Sequence, residues 1–253
     1  MLSADFDAEA LGPVEPEDFV TELGPTSLWA PNFSDMTIAN DTRGSGRVLR
    51  VHLEAGTIRG APAGNHGVAL DIRLPGDFGK ACISYDVRFD PDFDWSLGGK
   101  LPGLLGVAPG VSPSAPAGGH PTSAGWSGRV MWVGPKAYSW AGPSNMIVSY
   151  LYHPGQRSAY GDNLRWGWGF GAGRWHTVQQ CYSMNTVGRD DGVLRAWLDG
   201  RLVLEDRAVR YRTSDDVRIN YLAWDVFRGG STLQWAGSRD DYIDIDNVVI
   251  TGG

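Results

Sequence analysis

The chain has 253 residues, of which 42% are hydrophobic and 20% charged. At roughly 150 residues per domain this is one large domain or two small ones, apolar enough to bury a core. The formal net charge of −7 argues against a nucleic-acid binder, a class that is usually basic.

Residues 1–35 carry Pro13, Pro16, Pro25 and Pro31 among acidic and apolar side chains. They read as an irregular lead-in with room for one short helix. The N-terminal stretch MLSADFDAEA has neither a basic n-region nor an apolar h-region, so no signal peptide is expected there. No run of about 18 apolar residues occurs, so no membrane partner is expected.

From residue 81 onward the pattern is strand-like. Residues 81–89 alternate, with Ala81, Ile83, Tyr85, Val87 and Phe89 on one face. Further strands are expected over 126–133, 146–152, 175–184, 193–198, 217–227 and 242–250. Asp199-Gly200 is a hairpin signal. Residues 106–125, rich in Gly, Pro, Ser and Ala, read as one long loop, and loops of that length are usually functional. No amphipathic helix of a dozen residues is visible. The expectation is an all-β fold, a two-sheet antiparallel jelly roll filling residues 1–253 as a single domain with a groove on one face.

Cys82 and Cys181 show no metal-binding spacing and are compatible with either a disulfide or two buried thiols. Asp240, Asp241 and Asp246 read as edge charges, with a structural calcium site as the alternative. His66 is a candidate for lining the groove. The paired carboxylates of a jelly-roll glucanase, a phosphate-binding glycine loop and a GxSxG elbow are all missing.

Three short stretches carry chemistry. In Gly98-Gly99-Lys100-Leu101-Pro102-Gly103-Leu104, one of only three lysines in the chain is framed by glycines that permit close approach, although by composition alone the stretch reads as a surface lysine in a glycine-rich turn. In Trp126-Ser127-Gly128-Arg129-Val130-Met131-Trp132, alternation puts Ser127, Arg129 and Met131 on one face and the tryptophans in the core. In Ser149-Tyr150-Leu151-Tyr152, two phenols share a face about 7 Å apart while Leu151 points into the core.

These stretches, with GGH at 118–120, Trp175, Gln180, Asn185, the hairpin at 191–200 and the closing strand from Tyr242 to Asn247, resemble polysaccharide lyase family 14 and its glucuronan lyase relatives in family 20. The resemblance spans roughly residues 65 to 250. It departs at Val133, where the family often has arginine, and at Val226-Phe227-Arg228-Gly229-Gly230, where it tends to read FFGG. The resemblance implies β-elimination on a uronic-acid polymer, alginate or β-1,4-glucuronan. Lys100, Arg129, Tyr150 and Tyr152 are then the expected catalytic residues, and His120, Ser127 and Gln180 the substrate-binding ones. In such a reaction cations neutralise the uronate carboxylate, a base takes the adjacent proton and an acid protonates the leaving oxygen. Tyr152 is the first choice for acid and base, with Lys100 or His120 as an alternative base. No metal or cofactor is called for. The expected partner is an acidic polysaccharide, the expected state a monomer and the expected location extracellular. The competing reading is a non-catalytic carbohydrate-binding module, suggested by Trp126, Trp166, Trp168 and Trp175.

Overall fold

A computed structural model of the chain describes residues 2–23, 26–27, 32–44, 46–60 and 66–253. In chain order its strands are β1 (Leu2–Ala4), β2 (Gly12–Pro13), β3 (Thr26–Ser27), β4 (Met36–Asn40), β5 (Arg47–Leu53), β6 (Val68–Phe78), β7 (Lys80–Phe89) and β8 (Gly98–Val107). They continue as β9 (Gly125–Val133), β10 (Met146–Tyr152), β11 (Asp162–Arg165), β12 (Trp175–Ser183), β13 (Gly192–Leu198), β14 (Arg201–Val209), β15 (Ile219–Arg228) and β16 (Asp241–Gly252). One α-helix, α1 (Pro16–Leu23), lies in the lead-in, which also contributes β1 and β2. Pro25 and Pro31 fall outside the described residues.

The strands form two antiparallel sheets. One has the order β14-β13-β12-β7-β16-β5-β4-β2, with β1 added beside β16, and the other the order β11-β10-β9-β8-β15-β6-β3. This is the expected jelly roll. Alternation explains how the sheets meet: Ile83, Tyr85, Val87 and Phe89 of β7 face Leu101 of β8, Trp126, Val130 and Trp132 of β9, and Leu151 of β10 within one core. Burying each large side chain contributes about 1.5–3 kcal/mol. The Asp199-Gly200 turn forms as expected, with φ of 51° and 77°, the positive pair that a two-residue hairpin requires.

Two expectations change. Gly98–Val107 is not a turn but a fully buried central strand, so the following loop begins at residue 108. Pro102 is tolerated there because the pairing with β9 shifts between Leu101 and Gly103, a bulge where no ladder N–H is needed. The bulge also reverses the alternation. Lys100 faces away from the core, yet Leu104 faces into it and Leu105 joins a small cluster on the other side. Gly99 and Gly103 make this strand possible: a Cβ at Gly99 would lie 2.1 Å from the Trp132 ring, and one at Gly103 would lie 1.9 Å from the Gly128 carbonyl.

Cys82 and Cys181, directly opposed on β7 and β12, form a disulfide. The C-terminal aspartates are not loose edge charges. Asp241 is fully buried and ion-paired to Arg228, and Asp246 is paired to Arg43. Asp240 accepts the Ala55 N–H at 2.7 Å.

Candidate active site

The seven-stranded sheet turns its second face away from the core, and a cavity of about 240 Å³ lies on it. Its floor is built strand by strand from Tyr150 and Tyr152 (β10), Arg129 (β9), Lys100 (β8), Asp225 and Phe227 (β15), and Ala69 and Asp71 (β6). The register brings them together: Tyr150 is opposite Arg129, Tyr152 opposite Ser127, Lys100 opposite Met131 and also opposite Phe227. Ala117, Gly118 and Tyr160 form one rim, and Gly229, Gly230 and Ser231 another.

Lys100 is 9% exposed and has no ion pair among the described residues. Its Nζ donates to Met131 Sδ at 3.0 Å and sits 4.1 Å from the centre of the Tyr150 ring. Burial, reinforced by the Arg129 charge and only partly opposed by Asp225, lowers its pKa to about 7. A lysine in this setting is a free amine for much of the time at neutral pH.

Arg129 is held at two points. Its Nε pairs with Asp225 and its Nη1 donates to Ser127 Oγ at 3.0 Å, while Ser127 Oγ donates to the Pro116 carbonyl at 2.6 Å. Burial works against its charge, but Asp225 and Asp71 outweigh that and hold its pKa above the ordinary value. Asp71 is pushed up to about 7 by burial and by the neighbouring Asp225 charge, against Arg129 and Arg59.

The tyrosines are coupled at their oxygens. Tyr150 donates to Tyr152 Oη at 3.4 Å, Gly119 N–H donates to the same oxygen at 2.9 Å, and Gly161 N–H donates to Tyr150 Oη at 3.3 Å. Burial and the proximity of Tyr152 push the Tyr150 phenol well above its usual range, so it keeps its proton.

Of the residues expected from sequence, Lys100, Arg129, Tyr150 and Tyr152 line the cavity, whereas Ser127 is fully buried outside the lining and accepts from Arg129 instead. His120 and Gln180 do not line it either. His120 is exposed and outside the cavity lining, tied to Ala117 in a tight turn, although the adjacent Gly118 and Gly119 reach the site. Gln180 is fully buried between the sheets, where its Oε1 accepts from Tyr182 at 2.5 Å. Its parity along β12, shared with Val178 and Tyr182, already put it inward. Asn185 is likewise structural, receiving the Tyr211 and Arg212 N–H groups at 2.9 and 3.0 Å. His66 lies outside the cavity, 3.0 Å from Glu54.

Asp71, Asp225 and Arg59 were not anticipated. A lone charge inside an apolar run, as in Leu70-Asp71-Ile72 and Trp224-Asp225-Val226, was the available signal. Among the described residues no cluster of three or more His, Cys, Asp or Glu side chains is arranged to hold a metal ion.

Comparison with known proteins agrees with this geometry. The family model Polysaccharide lyase 14 matches residues 41–248. A search of curated protein sequences finds no significant match. Among solved structures, alginate lyase Aly36B, as a double mutant with alginate tetrasaccharide, superposes with a TM-score of 0.83 at 28% identity over 100% of this chain and 96% of that one. The PL-14 alginate lyase from Aplysia kurodai gives 0.81 at 23% identity over 96% and 98%. The endo-β-1,4-glucuronan lyase from the fungus Trichoderma reesei gives 0.60 at 13% identity over 100% and 95%, a likeness of fold. With the family model covering most of the chain and the cavity residues assembled on one sheet face, this protein belongs to polysaccharide lyase family 14 and is a polysaccharide lyase.

Proposed function

We propose that this enzyme cleaves alginate by β-elimination, with Lys100 as the base, Tyr152 as the acid and Arg129 as the group that neutralises the uronate carboxylate. The observation that carries this reading is a buried lysine, free of ion pairs among the described residues, sharing one cavity with a clamped arginine and two hydrogen-bonded phenols. The substrate carboxylate sits at Arg129, which stabilises the dianion that develops when the adjacent C5 proton leaves. Lys100 Nζ takes that proton. The C5 electron pair forms the C4–C5 double bond, the C4–O4 bond breaks, and O4 receives the Tyr152 proton.

A tyrosine base would need a lowered phenol pKa, and burial moves Tyr150 the other way. Lys100 is lowered toward neutrality, which favours it as base over the sequence-based first choice of Tyr152 in both roles. Tyr152 fits the acid because its oxygen already accepts from Gly119 and Tyr150, which leaves its own hydrogen for the substrate. Support for the substrate comes from Aly36B, whose complexes with alginate tetrasaccharide and trisaccharide are of variants lacking a lysine and a tyrosine, or a lysine and a methionine. The present cavity sets a lysine beside tyrosines and against a methionine.

The test is ultraviolet absorbance from the unsaturated uronate, measured on alginate, its block fractions, glucuronan and hyaluronan. Alginate should give the fastest rise. Faster turnover of glucuronan would replace the substrate, and no rise on any polymer would end the lyase assignment for this chain. Action outside the cytoplasm is part of the proposal, because the polymer is extracellular and the Cys82–Cys181 bond suits an oxidising compartment. Thiol titration of protein from its native host should find both cysteines blocked; free thiols would count against it.

A further inference from the structure

We propose that Asp225 is a positioning residue for the elimination, clamping Arg129 so that one edge of its guanidinium faces the substrate carboxylate. The inference rests on the lyase reading above and extends it to a residue that never has to touch the reacting atoms.

The geometry is a chain of contacts across three strands. Asp225 on β15 pairs with Arg129 Nε, Arg129 Nη1 donates to Ser127 on its own strand β9, and Ser127 is fixed by the Pro116 carbonyl. Two of the guanidinium nitrogens are thereby occupied. Nη2 has no hydrogen-bond partner among the described residues and is left for a ligand. A carboxylate needs a planar donor edge at a set orientation, and a freely rotating arginine would not supply one. An aspartate is otherwise a poor choice beside an anionic substrate. Its repulsion is tolerable because its charge is spent on Arg129, and because the neighbouring Asp71 is drawn toward its neutral form by the same crowding.

Asp225 is also the carboxylate that opposes the lowering of Lys100. The groups facing Lys100 are Arg129 from β9, Tyr150 and Tyr152 from β10, Asp225 from β15, Asp71 from β6 and Arg59 from the segment before β6. Removing the Asp225 charge therefore lets Lys100 lose its proton at lower pH. The same change releases Asp71 to ionise more readily, but that carboxylate is one strand further from Lys100 and compensates only in part.

The experiment compares wild type, Asp225→Asn, Arg129→Ala and the double variant by kcat, KM and the pH profile of kcat/KM. Asp225→Asn should lower kcat by about 10²-fold, the scale of a misplaced catalytic group. The acidic limb of its profile should move to lower pH. The double variant should be no slower than Arg129→Ala alone, since Asp225 acts through Arg129. A merely structural aspartate would leave the limb in place, and its cost would multiply with that of Arg129→Ala; either result overturns the proposal. If Asp225→Asn does not fold, Asp225→Glu keeps the charge and displaces the clamp. A drop in kcat with the limb unmoved then supports the proposal, and an unchanged kcat overturns it. Failure of the lyase reading has its own signature, a wild type that produces no absorbance on any uronate polymer, and it takes this proposal with it.

Discussion

Two charged surfaces of this protein use the same residue types to opposite ends. On the outer face of the nine-stranded sheet every buried carboxylate of β16 is matched. Asp244 takes Arg50 Nε at 2.7 Å and Arg88 at 3.2 Å, and Arg43 spans Asp41, Asp86 and Asp246. The hydrogen bond to Asp244 pushes the Arg50 pKa further up, so Arg50 stays charged at any physiological pH. In the cavity Lys100 contacts a thioether and an aromatic ring, and among the described residues no carboxylate forms an ion pair with it. It is therefore the cation whose charge is negotiable near neutral pH. Matched pairs hold a sheet together, and a withheld partner lets burial lower the pKa of Lys100.

The largest effect should come from removing Lys100, the proposed base. Lys100→Ala should lower turnover by about 10³-fold or more, within the range of general-base catalysis, with the fold intact. Absorbance assays and circular dichroism check the two halves, and near-normal rates would erase the distinction drawn between the surfaces. Tyr152→Phe removes only the proposed proton donor and should cost about 10²–10³-fold. A smaller loss with a leaving group that needs no protonation would confirm the acid role.

The contrast sharpens if the cavity is given what the outer face has. Wild-type kcat/KM should rise with pH through about 7 as Lys100 loses its proton. Met131→Glu supplies a carboxylate partner, which favours the ammonium form and should move this limb to higher pH. A limb that stays put would mean another group sets it. In the reverse direction, Asp244→Ala should spare the chemistry and lower stability. The expected cost is about 1–3 kcal/mol, below that of a fully buried pair because Arg50 remains partly in water. Calorimetry with an unchanged kcat is the check.

A separate effect concerns stability in the cavity itself. The folded-state pKa of Lys100 lies below its unfolded value, so the unfolded chain binds the extra proton more tightly between about 7 and 10.5. Its contribution to stability is full above 10.5 and is lost as pH falls toward 7. Lys100→Met abolishes this cost along with the activity. The melting temperature at neutral pH should rise, at about 2–4 °C for each kcal/mol recovered. A fall would show that Lys100 is stabilising where it stands.

Much of this was legible beforehand, for a local reason. Alternation along residues 126–133 and 146–152 sorts Trp126, Val130, Trp132 and Leu151 from Arg129, Tyr150 and Tyr152 with no knowledge of the partner strands. The same rule applied to β12 would have turned Gln180 inward. The bulge at Pro102 broke the rule, and a glycine-rich stretch that reads as a turn proved to be the central strand carrying Lys100. Asp71 and Asp225 stayed hidden because neither meets Arg129 through sequence-local structure. Both arrive on strands paired from more than a hundred residues apart along the chain.

The amino-acid order alone determined which side chains leave the core, since a strand's two-residue period is a property of its own backbone. Tertiary structure decided which departing charges would find an opposite. That depends on strand order across the sheet, where β15 inserts between β8 and β6 and brings Asp225 to Arg129, while among the described residues no carboxylate pairs with Lys100. Desolvation then acts on whatever has been left unmatched, and this step lowers the pKa of an otherwise ordinary lysine.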